Sequence, residues 1–367
     1  MTKSYLDETN HITAEHVKRV IAKELPSYRK AYSDRAAFTM ACLSEIAYLP
    51  WEDWLKGRSP STKSVIKEAI VAAQSELKDF ETLSNLLDKY TISYSAVRKQ
   101  LKLDLDSFGI RIDTKHSWVN DPATGTQALV LFNDENVFIC FRGTEPTQIK
   151  DIKTDIKSYL VKLNKANNCK VHQGFRDAFL RIRKPLLEIL ATEHFKDKPI
   201  FITGHSLGGA LATIATKELA HPHQIAACYT FGSPRVGDDD FVNGIKSPVY
   251  RIVNAADAVT MLPFGSVITS LLSLLLGRFP VIGSYLKNQL SKISGYVHGG
   301  NMRYLTNCQP EKYETVKLLY SVSFLYRMKG AFFLNPFTKW AGLKLLKDHS
   351  MITYRRKLQE IEKVRNP

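Results

Sequence analysis

The sequence predicts an α/β protein with a mostly parallel central sheet covered by helices on both faces, and three observations carry that reading. Strand-like runs alternate with helical patterns through the middle of the chain, which is the signature of crossover connections. A serine flanked by glycines, Gly204-His205-Ser206-Leu207-Gly208, sits between a run of strand type and a run of helix type. The 367 residues are 44% hydrophobic, enough to bury a sizeable core.

The elements follow in order. From Ala14 to about Gln100 apolar residues recur at three and four, as in Val17, Val20, Ile21 and in Phe38, Cys42, Ile46, so helices are expected with breaks at Pro50 and at Ser59-Pro60-Ser61. Ala128–Phe132 and Asn136–Phe141 read as a hairpin around Asn133-Asp134-Glu135. A helix then runs from Gly174 to about Glu193, a strand from Pro199 to Thr203, a helix from Ser206 to Leu219, and strands over Ile225–Phe231 and Val249–Val253. Two segments interrupt this alternation. Ile149–Lys170 carries Lys150, Lys153, Lys157, Lys162, Lys165 and Lys170, and Phe264–Ser294 contains the apolar stretch Val267–Leu276. That stretch is shorter than the ~20 residues a spanning helix needs. The expected organisation is a helical region over residues 1–110 packed on a catalytic-type domain over 111–367, with an insert at 264–295.

Composition narrows the partners. A formal net charge of +15 attracts anions within about 8 Å of the surface at physiological salt. Nucleic acid is set aside because no zinc-finger spacing, RNP-like aromatic run or helix-turn-helix pattern is visible, which leaves an anionic membrane as the expected contact. The oligomeric state has no sequence signal. The first 25 residues have no apolar core of signal type, and the five cysteines, Cys42, Cys140, Cys169, Cys228 and Cys308, show neither a disulfide framework nor zinc spacing. A cytoplasmic, reducing location is the default expectation; peripheral membrane residence or export without a cleaved signal would leave the same signs.

The glycine-flanked serine fits G-x-S-x-G in the strand-to-helix context that makes it a nucleophile elbow, the hallmark of an α/β-hydrolase fold. Glycines belong there because a serine on so sharp a turn needs strained backbone and leaves no room for neighbouring side chains. The bland alternative is a serine that merely caps a helix. In this fold the acid and the histidine follow the serine along the chain. Asp257 stands just past the strand ending at Asn254, at the carboxyl end of the sheet, whereas Asp238, Asp239 and Asp240 suit a helix start. Downstream of Asp257 only His298 and His349 remain as bases, and local chemistry does not separate them.

Several ordered blocks resemble the fungal-type class 3 lipases: Phe141-Arg142-Gly143-Thr144, Val171-His172-Gln173-Gly174-Phe175, the elbow from Thr203 to Gly209, Phe231–Gly237, Arg251–Asn254 with Asp257 and Leu262-Pro263, then His298-Gly299 and Asp348-His349. The resemblance covers about Thr126 to Tyr354 and implies that His349 is the base and His298 structural. It implies an oxyanion hole at Thr144 and the backbone N–H of Leu207; Arg142 and His172 stand in matched blocks but need no chemical role, Arg142 being expected to tie strands through a buried ion pair and His172 to hold the loop around the site. It also implies hydrolysis of acylglycerol or phospholipid esters through an acyl-enzyme on Ser206, with no metal or organic cofactor, and a lid in the lysine-rich segment after Thr144. An esterase for soluble esters and a catalytically silent scaffold are the competing readings.

Overall fold

The computed structural model describes residues 31–49, 51, 110–113, 117–143, 159–164, 168–219, 224–263, 294–309, 312–323, 325–327 and 348–365. Thr144, most of the lysine-rich segment, residues 264–293 of the expected insert and most of the amino-terminal helical pattern lie outside them.

Eight strands form one sheet: β1 (Trp118–Asp121), β2 (Thr126–Phe132), β3 (Val137–Phe141), β6 (Ile200–His205), β7 (Ile225–Phe231), β8 (Val249–Asn254), β9 (Asn301–Leu305) and β10 (Leu318–Leu319), in that spatial order. The steps from β3 to β9 are parallel; β1, β2 and β10 pair antiparallel at the edges. The β2–β3 hairpin has the register Ala128 to Phe141 through Phe132 to Val137, and Asn133 closes its turn by accepting the N–H groups of Glu135 and Asn136 at its side chain.

Side chains alternate across a strand, so each buried strand feeds two cores. Leu129 and Leu131 of β2 enter one cluster with Phe138, Phe201, Tyr229 and Ile252, beneath helices α1 (Asp34–Ile46) and α5 (Met351–Arg365). Ala128, Val130 and Phe132 enter the other with Ile139, Ile202 and Cys228, beneath α2 (Gln173–Leu190) and α3 (Leu207–Glu218). That two-sided burial is why the inner strands read as unbroken apolar runs. Each fully buried leucine or phenylalanine contributes about 1.5–3 kcal/mol by leaving water. α2 buries Phe175, Phe179, Ile182, Leu186 and Ile189, a stripe at three and four. α1 starts where Ser33 accepts the Ala36 N–H at 3.2 Å, with Asp34 favourably placed in the first turn.

The structure departs from the sequence expectations at three places. β1 emerges where no strand was expected, because a four-residue edge strand carries too few residues for a period-2 pattern to show, whereas β9 and β10 supply the last strands expected after the insert. The carboxyl-terminal part of the lysine-rich segment is extended: β4 (Leu160–Lys162) pairs antiparallel with β5 (Lys170–His172), so Lys162 and Lys170 lie on strands that the sequence pattern had not marked. The strand before the serine runs on to His205, and the helix after it begins at Leu207, leaving Ser206 alone at the corner.

α1 and α5 are joined through a buried ion pair in which Arg355 Nε donates to Glu45 Oε2 at 2.5 Å and Nη2 to Oε1 at 3.2 Å. The arginine side chain is fully buried and the glutamate nearly so. Removing one partner of such a pair strands the other charge in a low-dielectric core. Glu45→Ala is therefore expected to lower the unfolding free energy by about 3–5 kcal/mol in urea titrations, with a smaller loss in a double variant that also replaces Arg355 by methionine.

Candidate active site

The site begins with backbone strain. Ser206 has φ 57° and ψ −126°, a region that a residue with a side chain occupies only under constraint. The corner is held by packing too close for side chains: a Cβ on Gly204 would run into the backbone of Gly208, and one on Gly208 into that of Phe141 in β3. The Ser206 N–H donates to the Phe231 carbonyl of the neighbouring strand at 2.9 Å. As the first residue of α3, Leu207 has an N–H with no acceptor inside the helix, and the helix dipole adds partial positive charge at that end.

Three side chains distant in sequence meet at this corner. The Ser206 hydroxyl donates to His349 Nε2 at 2.9 Å, and His349 Nδ1–H faces both Asp257 carboxylate oxygens at 2.9 Å. All three are buried. Asp257 stands past the end of β8, with its Oδ1 accepting the Val259 N–H at 3.0 Å. The other candidates fall elsewhere. His298 is half-buried and donates Nε2–H to the Thr260 carbonyl at 2.6 Å. Asp238 caps the short helix α4 (Asp239–Asn243) by accepting the Phe241 N–H at 2.9 Å. Arg142 Nη1 donates to Gln127 Oε1 at 2.9 Å, so β2 and β3 are tied by an amide at this point in addition to their ladder. His172 accepts the Phe175 N–H at the start of α2 at 3.4 Å. Gly143, the last described residue before Thr144, lies against the elbow: a Cβ there would meet the His205 carbonyl at 2.5 Å and Ser206 Cβ at 3.4 Å.

A buried polar frame that the sequence did not signal holds the histidine turn. His205 Nε2 lies 2.6 Å from the His349 carbonyl, which can only accept, so Nε2 carries the proton and Nδ1 accepts from the Tyr48 hydroxyl at 2.8 Å. Asn254 Nδ2 donates to the Asp348 carbonyl at 2.8 Å, Lys357 Nζ donates to Asn254 Oδ1 at 2.6 Å, and Asp348 Oδ2 accepts the Ala256 N–H at 3.1 Å. The Tyr354 hydroxyl accepts the Asn254 N–H at 2.9 Å and donates to Asp257 Oδ2 at 2.6 Å. Burial, reinforced by the Asp257 charge, holds the Tyr354 phenol well above its ordinary range, so it stays a donor. Of the frame only Tyr354 and Lys357 lie on α5, three residues apart, a spacing that reads equally well as a solvated helix face.

Burial and then the neighbouring His349 hold the His205 imidazole well below its usual 6.5, and burial followed by Arg251 does the same for His298. A histidine depressed in the folded chain takes up its proton more readily when unfolded, so its neutral burial favours folding fully above pH 6.5. That contribution is lost as pH falls below 6.5 toward the folded pKa. Unfolding free energy is expected to fall as pH drops below 6.5, with a limiting slope of about 1.4 kcal/mol per pH unit per histidine; a flat profile of urea midpoints from pH 6.5 downward would contradict two neutral rings.

Residues 138–267 match the family model described as lipase (class 3). A lipase of Rhizomucor miehei is 33% identical to the chain over 151 residues, covering 38% of this chain and 41% of that lipase. Secreted mono- and diacylglycerol lipase 1 of Fusarium solani is 37% identical over 101 residues, covering 26% of this chain and 30% of the relative. In both, less than half of the relative's length is spanned. The crystal structure of a lipase from Rhizopus microsporus var. chinensis superposes over 87% of each chain with a TM-score of 0.48 and 18% identity. The matched stretch, residues 138–267, holds both Ser206 and Asp257 and is similar to the lipase (class 3) family.

Proposed function

We propose that the protein hydrolyses carboxylic esters of lipids through an acyl-enzyme on Ser206, with His349 as base and Asp257 as its orienting acid. The observation that carries this reading is the 2.9 Å contact of Ser206 Oγ with His349 Nε2 while the opposite ring nitrogen rests on Asp257. Ser206 Oγ attacks the ester carbonyl as its proton passes to Nε2. The tetrahedral oxyanion is received by the Leu207 N–H and by Thr144. Collapse expels the alcohol, which takes the proton from Nε2, and water repeats the sequence on the acyl-enzyme. The frame around His205 and Asn254 keeps the imidazole aligned through both steps.

Acylglycerols are the first substrate class to test, since the matched Fusarium relative bears the name of a mono- and diacylglycerol lipase; phospholipids cleaved at an acyl ester are the second. A peripheral contact with anionic membrane is supported by the +15 charge and by the exposed Lys162 and Lys170 on the β4–β5 hairpin. Among the described residues no helix is long and apolar enough to cross a membrane.

Ser206→Ala is expected to lower ester hydrolysis by about 10⁴-fold or more and to abolish labelling by a fluorophosphonate, read by mass spectrometry of the labelled peptide. Retention of most of the hydrolysis would remove Ser206 from the mechanism. Turnover on vesicles containing anionic lipid should exceed that on neutral vesicles and should decline as salt rises from 50 to about 500 mM; turnover indifferent to both would remove the membrane contact while leaving the ester chemistry untouched.

A further inference from the structure

Four basic groups converge on the loop that follows β8, behind the acid. His298 bonds the Thr260 carbonyl. Arg327 Nη2 donates to the Asp257 carbonyl at 3.2 Å and to Thr260 Oγ1. Arg235 Nη1 donates to the carbonyls of Met261 and Pro263. Arg251, on β8 itself, differs from these. It is 7% exposed, and its Nε and Nη1 are buried with no hydrogen-bond partner. Arg327 Nε is likewise buried and unpaired.

The register explains why Arg251 is unpaired. Its partners across the ladder are Thr230 on β7 and Met302 on β9, and neither carries a charge. Among the described residues the carboxylate that acts on Arg327 is Asp257, and its oxygens are already taken by His349, Tyr354 and the Val259 N–H. Burial, and then Arg327 and Arg235, push the Arg251 guanidinium down to about 9, while burial and then Arg327 push Arg235 down to about 10. Three guanidinium groups are thus crowded together and largely desolvated, and a buried cation that lacks a partner is a strongly unfavourable arrangement.

We propose that this cluster is a binding site for a phosphate oxoanion held by Arg251, Arg235 and Arg327. A tetrahedral oxoanion offers several acceptor oxygens to the planar N–H forks of guanidinium groups, and its charge offsets their mutual repulsion. The unpaired Nε of Arg327 and the Nε and Nη1 of Arg251 are the donors it satisfies. Because Arg327 and Arg235 also hold carbonyls of residues 257–263, the bound anion stiffens the loop that carries Asp257. The site is independent of the ester chemistry, and its test needs no turnover.

The experiment is calorimetric titration of the full chain at constant ionic strength with inorganic phosphate and, separately, with glycerophosphocholine, a phosphodiester headgroup without acyl chains. Wild type is expected to bind one of the two saturably; binding of inorganic phosphate alone assigns a free anion, and binding of glycerophosphocholine assigns a lipid headgroup. Arg251→Met should weaken that binding by about ten-fold or more, the loss of a charge-assisted contact. Met302→Glu places a carboxylate across the ladder from Arg251 and should also suppress binding while the melting temperature holds or rises, so the test survives if Arg251→Met fails to fold. Absence of binding by either probe, or wild-type affinity in Met302→Glu, overturns the site.

Discussion

The backbone at Ser206 is held at φ 57°, and the arrangement of the sheet around it serves to keep it there. A strained residue persists only where its surroundings over-determine it, at a cost of order 1–3 kcal/mol. Here the surroundings are β3, β6 and β7: Gly208 rests on the Phe141 backbone, Gly204 on the Gly208 backbone, and the Ser206 N–H on the Phe231 carbonyl. The parallel order of these strands brings their carboxyl ends to one edge, where the helix α3 can start with its free N–H groups facing the hydroxyl. Gly232, at φ 59°, extends the same constraint. A Cβ there would come within 2.7 Å of Asp257 Oδ2 and 3.0 Å of the His349 ring, so the corner after β7 must be bare for the other two side chains to enter.

A second layer of constraint comes from buried polar groups that leave little freedom to the histidine turn. The carbonyls of Asp348 and His349 are both taken, one by Asn254 and the other by His205. Through Tyr48 and Lys357 these two residues connect in turn to the segment after α1 and to α5. A buried network of this kind resists displacement because each member that moves leaves its partner unsatisfied in a low dielectric. The amino-terminal helix α1 and the carboxyl-terminal helix α5 lie on the same face of the sheet and share the Glu45–Arg355 pair, so they contribute to the position of the site as well as to the core. Against this satisfied network the cluster around Arg251 stands out, because there the same low dielectric surrounds groups whose partners are missing.

Much of the sheet was legible from sequence for a plain reason. β2, β3, β6 and β7 are buried on both faces, and a strand with two apolar neighbours must be an unbroken run of apolar side chains. The elbow was legible because two glycines around a serine between a strand and a helix record a steric requirement directly. Asp257 followed from the end of β8. Between His298 and His349 the local residues were silent and the family resemblance alone favoured His349; in the fold the half-buried His298 ring reaches Thr260 while the buried His349 ring reaches Ser206 and Asp257. Thr144 lies outside the described residues.

What the sequence determined by itself is local: periodicity that sets strand against helix, glycines that permit a forbidden turn, and the carboxylate at a strand end. Each of these follows from the chemistry of a few neighbouring residues. Only the tertiary structure decided the rest. In the sequence His205 fills a variable position of the elbow, Tyr354 and Lys357 carry no signal of their own, and Arg251 belongs to a matched block without an assigned role. Their roles depend on partners 50 to 160 positions away, or on a partner's absence across the ladder, and hydrogen bonding and desolvation act through space and leave no mark on local sequence.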